Sequence, residues 1–254
     1  MKKRKAGIGI FVIVLIVTVV RVKSMDSHRI SGRILAENIA GPGMMRLVEQ
    51  SMQAQAQKTS VTEIAVKEWK HPQAALTFDD GPDIRYTPFL LDGLKERNVR
   101  ASFFLLGEKV EQYPELVERM QKEGHLVGNH TYHHVQLNKL NETKAREEIL
   151  KTNNLIYETT GVYPLYLRPP FGAWKKNLEL CVEMLPVFWT IDTLDWKVKN
   201  TEKIVRTVKE QIEDGAIILM HDEYDTSVEA ALQVVDELKN QGYELVTVDQ
   251  LILP

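Results

Sequence analysis

The 254-residue sequence predicts an α/β fold: seven strands in a parallel sheet, wrapped by helices into a (β/α)7 barrel, complete or incomplete. Three observations predict it. From Gln73 onward, short apolar runs alternate with helical patterns. Two of the runs, Ala101-Ser102-Phe103-Phe104-Leu105-Leu106 and Ala216-Ile217-Ile218-Leu219-Met220, are typical of strands buried on both faces. The polar clusters of the chain fall just beyond the strand ends, where barrels of this kind collect their active sites.

Three segments are expected: 1–24, 25–70 and 71–254. Residues 2–5 are basic, and Ala6 to Val20 is an unbroken apolar and small run, the layout of an export signal. As a helix the run spans about 22 Å, shorter than a typical hydrocarbon core, which favours a cleaved signal peptide. Arg21-Val22-Lys23-Ser24-Met25 offers no A-x-A-like cleavage site, which favours an uncleaved signal anchor with Lys2–Lys5 in the cytoplasm. The anchor helix is the expectation, and either way the globular part is extracytoplasmic. Residues 25–70, broken by Gly41-Pro42-Gly43 and rich in Gln and Met from Met44 to Gln57, read as a juxtamembrane spacer.

The catalytic-domain candidate follows. Strands are expected at 74–78, 100–106, 125–128, 164–168, 186–191, 215–220 and 243–247, and helices at 87–97, 108–122, 142–159, 174–184, 202–213 and 227–240. Gly124, Gly161, Gly215 and Gly242 fall where helix C-caps belong. At 44% hydrophobic and 26% charged, the chain suits one domain with a sizeable core plus extra sequence. The formal net charge is -3, but residues 1–24 hold six Lys/Arg and no acid, leaving 26 basic against 35 acidic residues elsewhere. A globular part of net charge -9 argues against a nucleic-acid partner, which needs a basic face. The single Cys181 rules out an internal disulfide framework, and its neighbours Leu178, Leu180 and Val182 mark it as a small core residue, not a nucleophile.

The chemistry concentrates at the strand ends. Asp79 and Asp80 follow the first strand, and Gly81-Pro82 breaks it. Two acids at the end of a buried strand are costly unless a metal ion or a basic partner compensates them. His130 and His134 follow the third strand. If that stretch is a helical turn, the two imidazoles share one face, as divalent-metal ligands often do. An H-x-x-x-H spacing alone also occurs on surfaces by chance. With a carboxylate nearby it becomes a two-His, one-carboxylate site with open positions for water and substrate. His133 on the same turn is expected to point elsewhere. Of the two acids, one can bind the metal while the other accepts a proton, and Arg168 can hold that base ionised. Asp192 and Asp195 follow the fifth strand. His221 ends the sixth, where a nearby acid such as Asp195 would favour its charged, proton-donating form. Arg168 and His221 also have plain structural readings, as a salt bridge and a strand-end histidine. Asn141-Glu142-Thr143 matches a glycosylation sequon by chance.

Five blocks, Thr77-Phe78-Asp79-Asp80-Gly81-Pro82, His130-Thr131-Tyr132-His133-His134, Arg168-Pro169-Pro170-Phe171-Gly172, Asp192-Thr193-Leu194-Asp195-Trp196 and Leu219-Met220-His221, resemble in this order the motifs of the polysaccharide deacetylase family, carbohydrate esterase family four. The resemblance covers residues 77–221 and implies a distorted, incomplete barrel. It implies removal of acetyl groups from N-acetylated sugars of peptidoglycan, chitin or a related glycan. It makes Asp79 the general base, and Asp80, His130 and His134 the ligands of zinc or a similar divalent ion such as Co2+. Arg168 would brace Asp79, and the Phe171 N–H would stabilise an oxyanion. His221, tuned by Asp195, would be the general acid, and Trp196 and Leu219 would wall the acetyl pocket. An anchor on an exported domain favours the cell's own peptidoglycan over chitin. Two rival classes are a glycan-binding protein on the same fold and a membrane-anchored scaffold acting through 25–70.

Overall fold

The computed structural model describes residues 71–174 and 184–252. The expected anchor, the spacer, Cys181 and nearly all of the expected 174–184 helix lie outside those residues. Among the described residues, no helix is long and apolar enough to cross a membrane.

The chain runs β1 (Gln73–Asp79), α1 (Thr87–Glu96), β2 (Ser102–Leu105), α2 (Gly107–Gln112), α3 (Pro114–Lys122), β3 (Leu126–Asn129) and α4 (Glu142–Thr160). It continues with β4 (Tyr166–Leu167), β5 (Leu185–Pro186), β6 (Ile191–Asp192), α5 (Asp195–Val198), α6 (Thr201–Gln211), β7 (Ala216–His221), α7 (Asp225–Asn240), β8 (Glu244–Leu245) and α8 (Val248–Ile252). All pairings are parallel, in the order β5-β4-β3-β2-β1-β7-β6. Among the described residues β5 and β6, at the two ends of this path, do not pair, so the barrel is incomplete as expected. An eighth strand, β8, pairs Glu244 and Leu245 with Gln73 and Ala74 at the start of β1.

β1 is buried along its whole length, because helices cover one face and the barrel interior the other. Phe78 and Phe103 stack at 5.2 Å between ring centroids, in a core completed by Leu90, Leu91 and Leu94 of α1 and Val234, Val235 and Leu238 of α7. The parallel β1–β7 register carries Asp79 to a position opposite His221. The fold thereby places the ends of the first and sixth expected strands side by side.

Several elements differ from expectation. The 108–122 helix is two helices, because Pro114 lacks the N–H that would continue the first and instead starts the second. The 186–191 strand is two short pairings, β5 with β4 and β6 with β7, and Val187 to Trp189 cross from one to the other. Helices α5 and α8 were not foreseen, since four and five residues are too few for a periodic signal. The C-cap reading holds for Gly124, Gly161 and Gly242, and Gly161 ends α4 in the left-handed region at φ 72°, where a Cβ would be strained; it fails for Gly215, because α6 already ends at Gln211 and the Gly215 N–H donates to the Gln73 carbonyl instead. Asn141 has a structural role, its side chain accepting the Lys144 N–H as the α4 N-cap.

Candidate metal and acid–base site

Asp79 is the last residue of β1, and its carboxylate is buried against Arg168, which is fully inaccessible. Arg168 donates from Nη1 to Asp79 Oδ1 at 2.8 Å and to Thr77 Oγ1 at 2.6 Å, while Nη2 and Nε point at the Phe188 and Val187 carbonyls, each at 3.4 Å. Its guanidinium lies 4.2 Å from the Phe104 ring centroid. Thr77 Oγ1 in turn donates to the Ile218 carbonyl at 2.7 Å, which ties this pair to β7. Burial raises the Asp79 carboxyl above the ordinary carboxylate range, and the Arg168 charge and hydrogen bond only partly offset it. The result is a carboxylate with more than the usual affinity for a proton.

Asp80 turns away from the strand in the left-handed region, at φ 68°. His130 Nδ1 lies 2.6 Å from the Arg168 carbonyl, an acceptor, so Nδ1 carries the proton and Nε2 keeps its lone pair. That Nε2 sits 3.4 Å from Asp80 Oδ1, and His134 Nε2 sits 3.5 Å from the same oxygen. Burial holds His130 neutral, with its pKa pushed down to about 3. The ligand atoms of Asp80, His130 and His134 all lie within 4.8 Å of one another. Asp80 Oδ1 is buried and has no hydrogen-bond partner. Two imidazoles, His130 and His134, around an orphaned carboxylate oxygen fit a divalent ion, which would satisfy that oxygen and take the imidazole lone pairs.

The expected helical turn at 130–134 is not there. The stretch is a loop, with Thr131 at φ 67° and His134 at φ 54°, and these reversals, not a shared helix face, bring the rings to 5.1 Å between centroids. His133 points away and is more than half exposed, as expected.

His221 ends β7 with Nε2 3.8 Å from Asp80 Oδ2. Its Nδ1 lies 2.7 Å from Asp195 Oδ1, and its backbone N–H donates to Asp195 Oδ2 at 2.7 Å. Burial alone would lower the His221 pKa. The hydrogen bond and charge of fully buried Asp195, with Asp79 and Asp80 beyond, outweigh it and push the value up to about 9.

Phe171 occupies a single 3-10 turn, Pro170–Gly172, at φ 60°; its ring is largely exposed and lies 4.5 Å from the His134 ring. Trp196 follows Asp195 and is half exposed. Leu219 is buried on β7 two residues before His221, hence on the same strand face, beneath the site. Asp192 stands apart, its Oδ1 accepting the Leu194 N–H at 2.9 Å to close a turn.

Asp222 lies outside the five motifs, yet it is fully buried and accepts from Thr87 Oγ1, which in turn accepts the Asp83 N–H at 2.8 Å. A Cβ on Gly81 would collide with its carboxylate, so Gly81 is the residue that lets the Asp80 loop lie on it. Its position directly after His221 was the available clue. Asn129 is a second residue sequence reasoning missed. Its side chain accepts the Thr131 N–H at 2.7 Å and donates to the Ile149 carbonyl and Asn153 Oδ1, fixing the histidine loop to α4.

Comparison with known proteins agrees with this geometry. The family described as polysaccharide deacetylase matches residues 67–187. A peptidoglycan-N-acetylglucosamine deacetylase, PgdA, of Listeria monocytogenes is 44% identical over 177 residues, 70% of this chain and 38% of that protein. The chain thus spans well under half the length of this relative. A peptidoglycan-N-acetylglucosamine deacetylase of Bacillus cereus is 40% identical over 186 residues, 70% of this chain and 68% of the relative. The solved structure of the peptidoglycan deacetylase PdaC from Bacillus subtilis superimposes with a TM-score of 0.70 at 42% identity, covering 72% of this chain and 91% of that one. With a shared incomplete barrel and this level of identity across most of a relative's length, the chain belongs to the polysaccharide deacetylase family.

Proposed function

We propose that this protein is a metal-dependent amide hydrolase that removes N-acetyl groups from sugars of peptidoglycan, releasing acetate and leaving a free amine on the glycan. One observation carries the reading. A carboxylate and an imidazole whose proton affinities are both raised each stand within 4 Å of one of the Asp80, His130 and His134 donors. Asp79 Oδ2 lies 3.8 Å from His130 Nε2, and His221 Nε2 lies 3.8 Å from Asp80 Oδ2. The names of the relatives support peptidoglycan over chitin; those of Listeria monocytogenes and Bacillus cereus are named N-acetylglucosamine deacetylases, and PdaC of Bacillus subtilis, 44% identical over 177 residues, is named a peptidoglycan-N-acetylmuramic acid deacetylase.

Asp80, His130 and His134 would hold the divalent ion, in our reading zinc, which when bound supplies Lewis-acid polarisation of the acetamide carbonyl and acidifies water. Asp79 takes the proton from the attacking water, and Arg168 keeps its carboxylate oriented. The carbonyl carbon becomes tetrahedral, and the Phe171 N–H, presented by its left-handed turn, would donate to the new oxyanion. His221 gives its Nε2 proton to the sugar nitrogen as the C–N bond breaks. Asp195 keeps the imidazole charged and its Nδ1 side occupied. The proton Asp79 gained then passes to solvent while His221 regains one, so the cycle closes. Trp196 and Leu219 would bound the space for the acetyl methyl group.

The basic, then apolar, segment at 1–24 supports export and attachment of the domain to the membrane beside its own wall. The test is acetate release from peptidoglycan and from chitin oligomers by the purified chain, with added zinc and after chelation. Metal-dependent release from peptidoglycan is expected. Release only from chitin oligomers would move the substrate, and no release from either, with metal bound, would sink the hydrolase reading. Reduction and sugar analysis of the product would tell glucosamine from muramic acid.

A further inference from the structure

The loop that carries two of the three metal-ligand candidates is held by a residue outside all five motifs. β3 ends at Asn129, and the chain then reverses at Thr131 and again at His134, both in the left-handed region that disfavours side chains. Between the two reversals, the backbone N–H groups of Tyr132 and His133 point the same way. Both donate to one oxygen, Oε2 of Glu148 on α4, at 3.0 and 2.9 Å. The other oxygen, Oε1, accepts from His133 Nδ1 at 2.8 Å. One carboxylate therefore takes three donors from two consecutive residues, as an anion does in a nest of backbone N–H groups. The Glu148 side chain is only 16% exposed, although its imidazole partner is 58% exposed. α4 is itself fixed against the ligand strand: Asn129 Nδ2 donates to the Ile149 carbonyl at 2.9 Å, and Ala145 and Ile149 are buried with Leu137 and Leu167. The frame that holds Glu148 is thus rigid, and the residue it holds directly precedes His134.

We propose that Glu148 is a positioning residue for the metal site: by clamping residues 132 and 133 it aims His134 Nε2 at Asp80 and sets both the affinity and the ligand geometry for a divalent ion. The proposal rests on the reading of Asp80, His130 and His134 as metal ligands, and not on the identity of the glycan. The hydrogen bonds of the Glu148 carboxylate go to Tyr132 and His133, not to Asp80, His130 or His134. It acts through the backbone, and such outer partners typically govern metal affinity by about 10- to 100-fold.

The experiment measures Zn2+ affinity by competition with a chromogenic chelator, and the visible spectrum of the Co2+-loaded chain, for Glu148→Gln beside Glu147→Gln. Glu147 is exposed on the same helix, so its variant removes the same charge without touching the loop. Expected are a drop in affinity of about tenfold or more and an altered Co2+ spectrum for Glu148→Gln, with Glu147→Gln matching the parent. Parental affinity and spectrum in a folded Glu148→Gln would overturn the proposal. If that variant does not fold by circular dichroism, His133→Ala decides, since it removes only the exposed ring's bond. A drop of about two- to fivefold supports the clamp, and unchanged affinity assigns Glu148 a purely structural role. Because metal binding is read without turnover, a parent chain that binds metal and releases no acetate would sink the proposed function and leave the clamp standing.

Discussion

Two buried carboxylates stand at the candidate site, each paired with a base, and they behave oppositely. Asp195 accepts three hydrogen bonds, from the His221 N–H, the His221 ring and the Trp196 N–H. Burial would raise its pKa, but the His221 interactions outweigh burial, and the carboxyl is held below the usual range. Asp79 receives one hydrogen bond from Arg168, whose other donors serve Thr77, Val187 and Phe188. There burial wins and the carboxyl is raised. Burial is the largest influence on both, and Asp195 has more donors set against it than Asp79 has. A satisfied carboxylate orients its neighbour, whereas an under-satisfied one retains an appetite for a proton. In the proposed reaction the two would divide the work of steering and of accepting protons.

The comparison can be broken most severely at Asp79. Asp79→Asn keeps the shape and removes the proton acceptor, so acetate release should fall by about 10^3-fold or more while zinc stoichiometry stays at the parent value. Activity within tenfold of the parent would remove Asp79 as the base. Next in size is Arg168→Leu, which leaves the Asp79 charge buried without its partner. Chemical denaturation should show a loss of about 3–5 kcal/mol, most of it recovered in the double variant that also carries Asp79→Asn. If the double variant were no more stable than the single, the two residues would not be coupled as described.

Asp195→Asn should sharpen the contrast from the other side. It removes the charge that holds His221 protonated, so the alkaline limb of the pH–rate profile should move down from near 9 toward the ordinary histidine value. kcat should fall about 10^2-fold with little change in KM. An unmoved alkaline limb would mean that another group titrates there. The sign for stability follows the same pair. The folded His221 value is raised, so its contribution is complete below about pH 6.5 and is lost as pH rises through about 9.

The smallest effect is expected at His125, a buried histidine with no carboxylate in hydrogen-bond range: Glu123 Oε2 stands 4.0 Å from Nε2. Its Nδ1 accepts the Ala101 N–H at 3.0 Å, which requires a neutral ring, and burial pushes its pKa down to about 4. Here stability is present above about pH 6.5 and is lost as pH falls from there through about 4, by at most about 3 kcal/mol. His125→Asn should flatten unfolding free energy across that window without moving the alkaline limb of activity. Two buried histidines would then lose stability at opposite ends of the pH scale, one for having a carboxylate and the other for lacking one.

The sequence by itself determined the alternation that makes a parallel barrel, because burial on both faces demands runs such as Ala101 to Leu106. It also determined which side chains could do chemistry, because charges at the end of an apolar strand need a partner, and Asp79, Arg168, His130 and His221 stand at such ends. The break at Pro114 was there to be read, in a residue that cannot continue a helix, but the apolar periodicity ran one helix through 108–122 and hid it. Tertiary structure alone decided how the histidines converge. The four-residue spacing suggested a helix face, whereas reversals at Thr131 and His134, held by Asn129 and Glu148, do the work. It also decided that Asp222 lies under Gly81, whereas the meeting of Asp195 with His221 is the expected one. These facts depend on contacts between residues tens of positions apart. No local pattern encodes such contacts, because each side chain's energy there is set by partners that only the folded chain supplies.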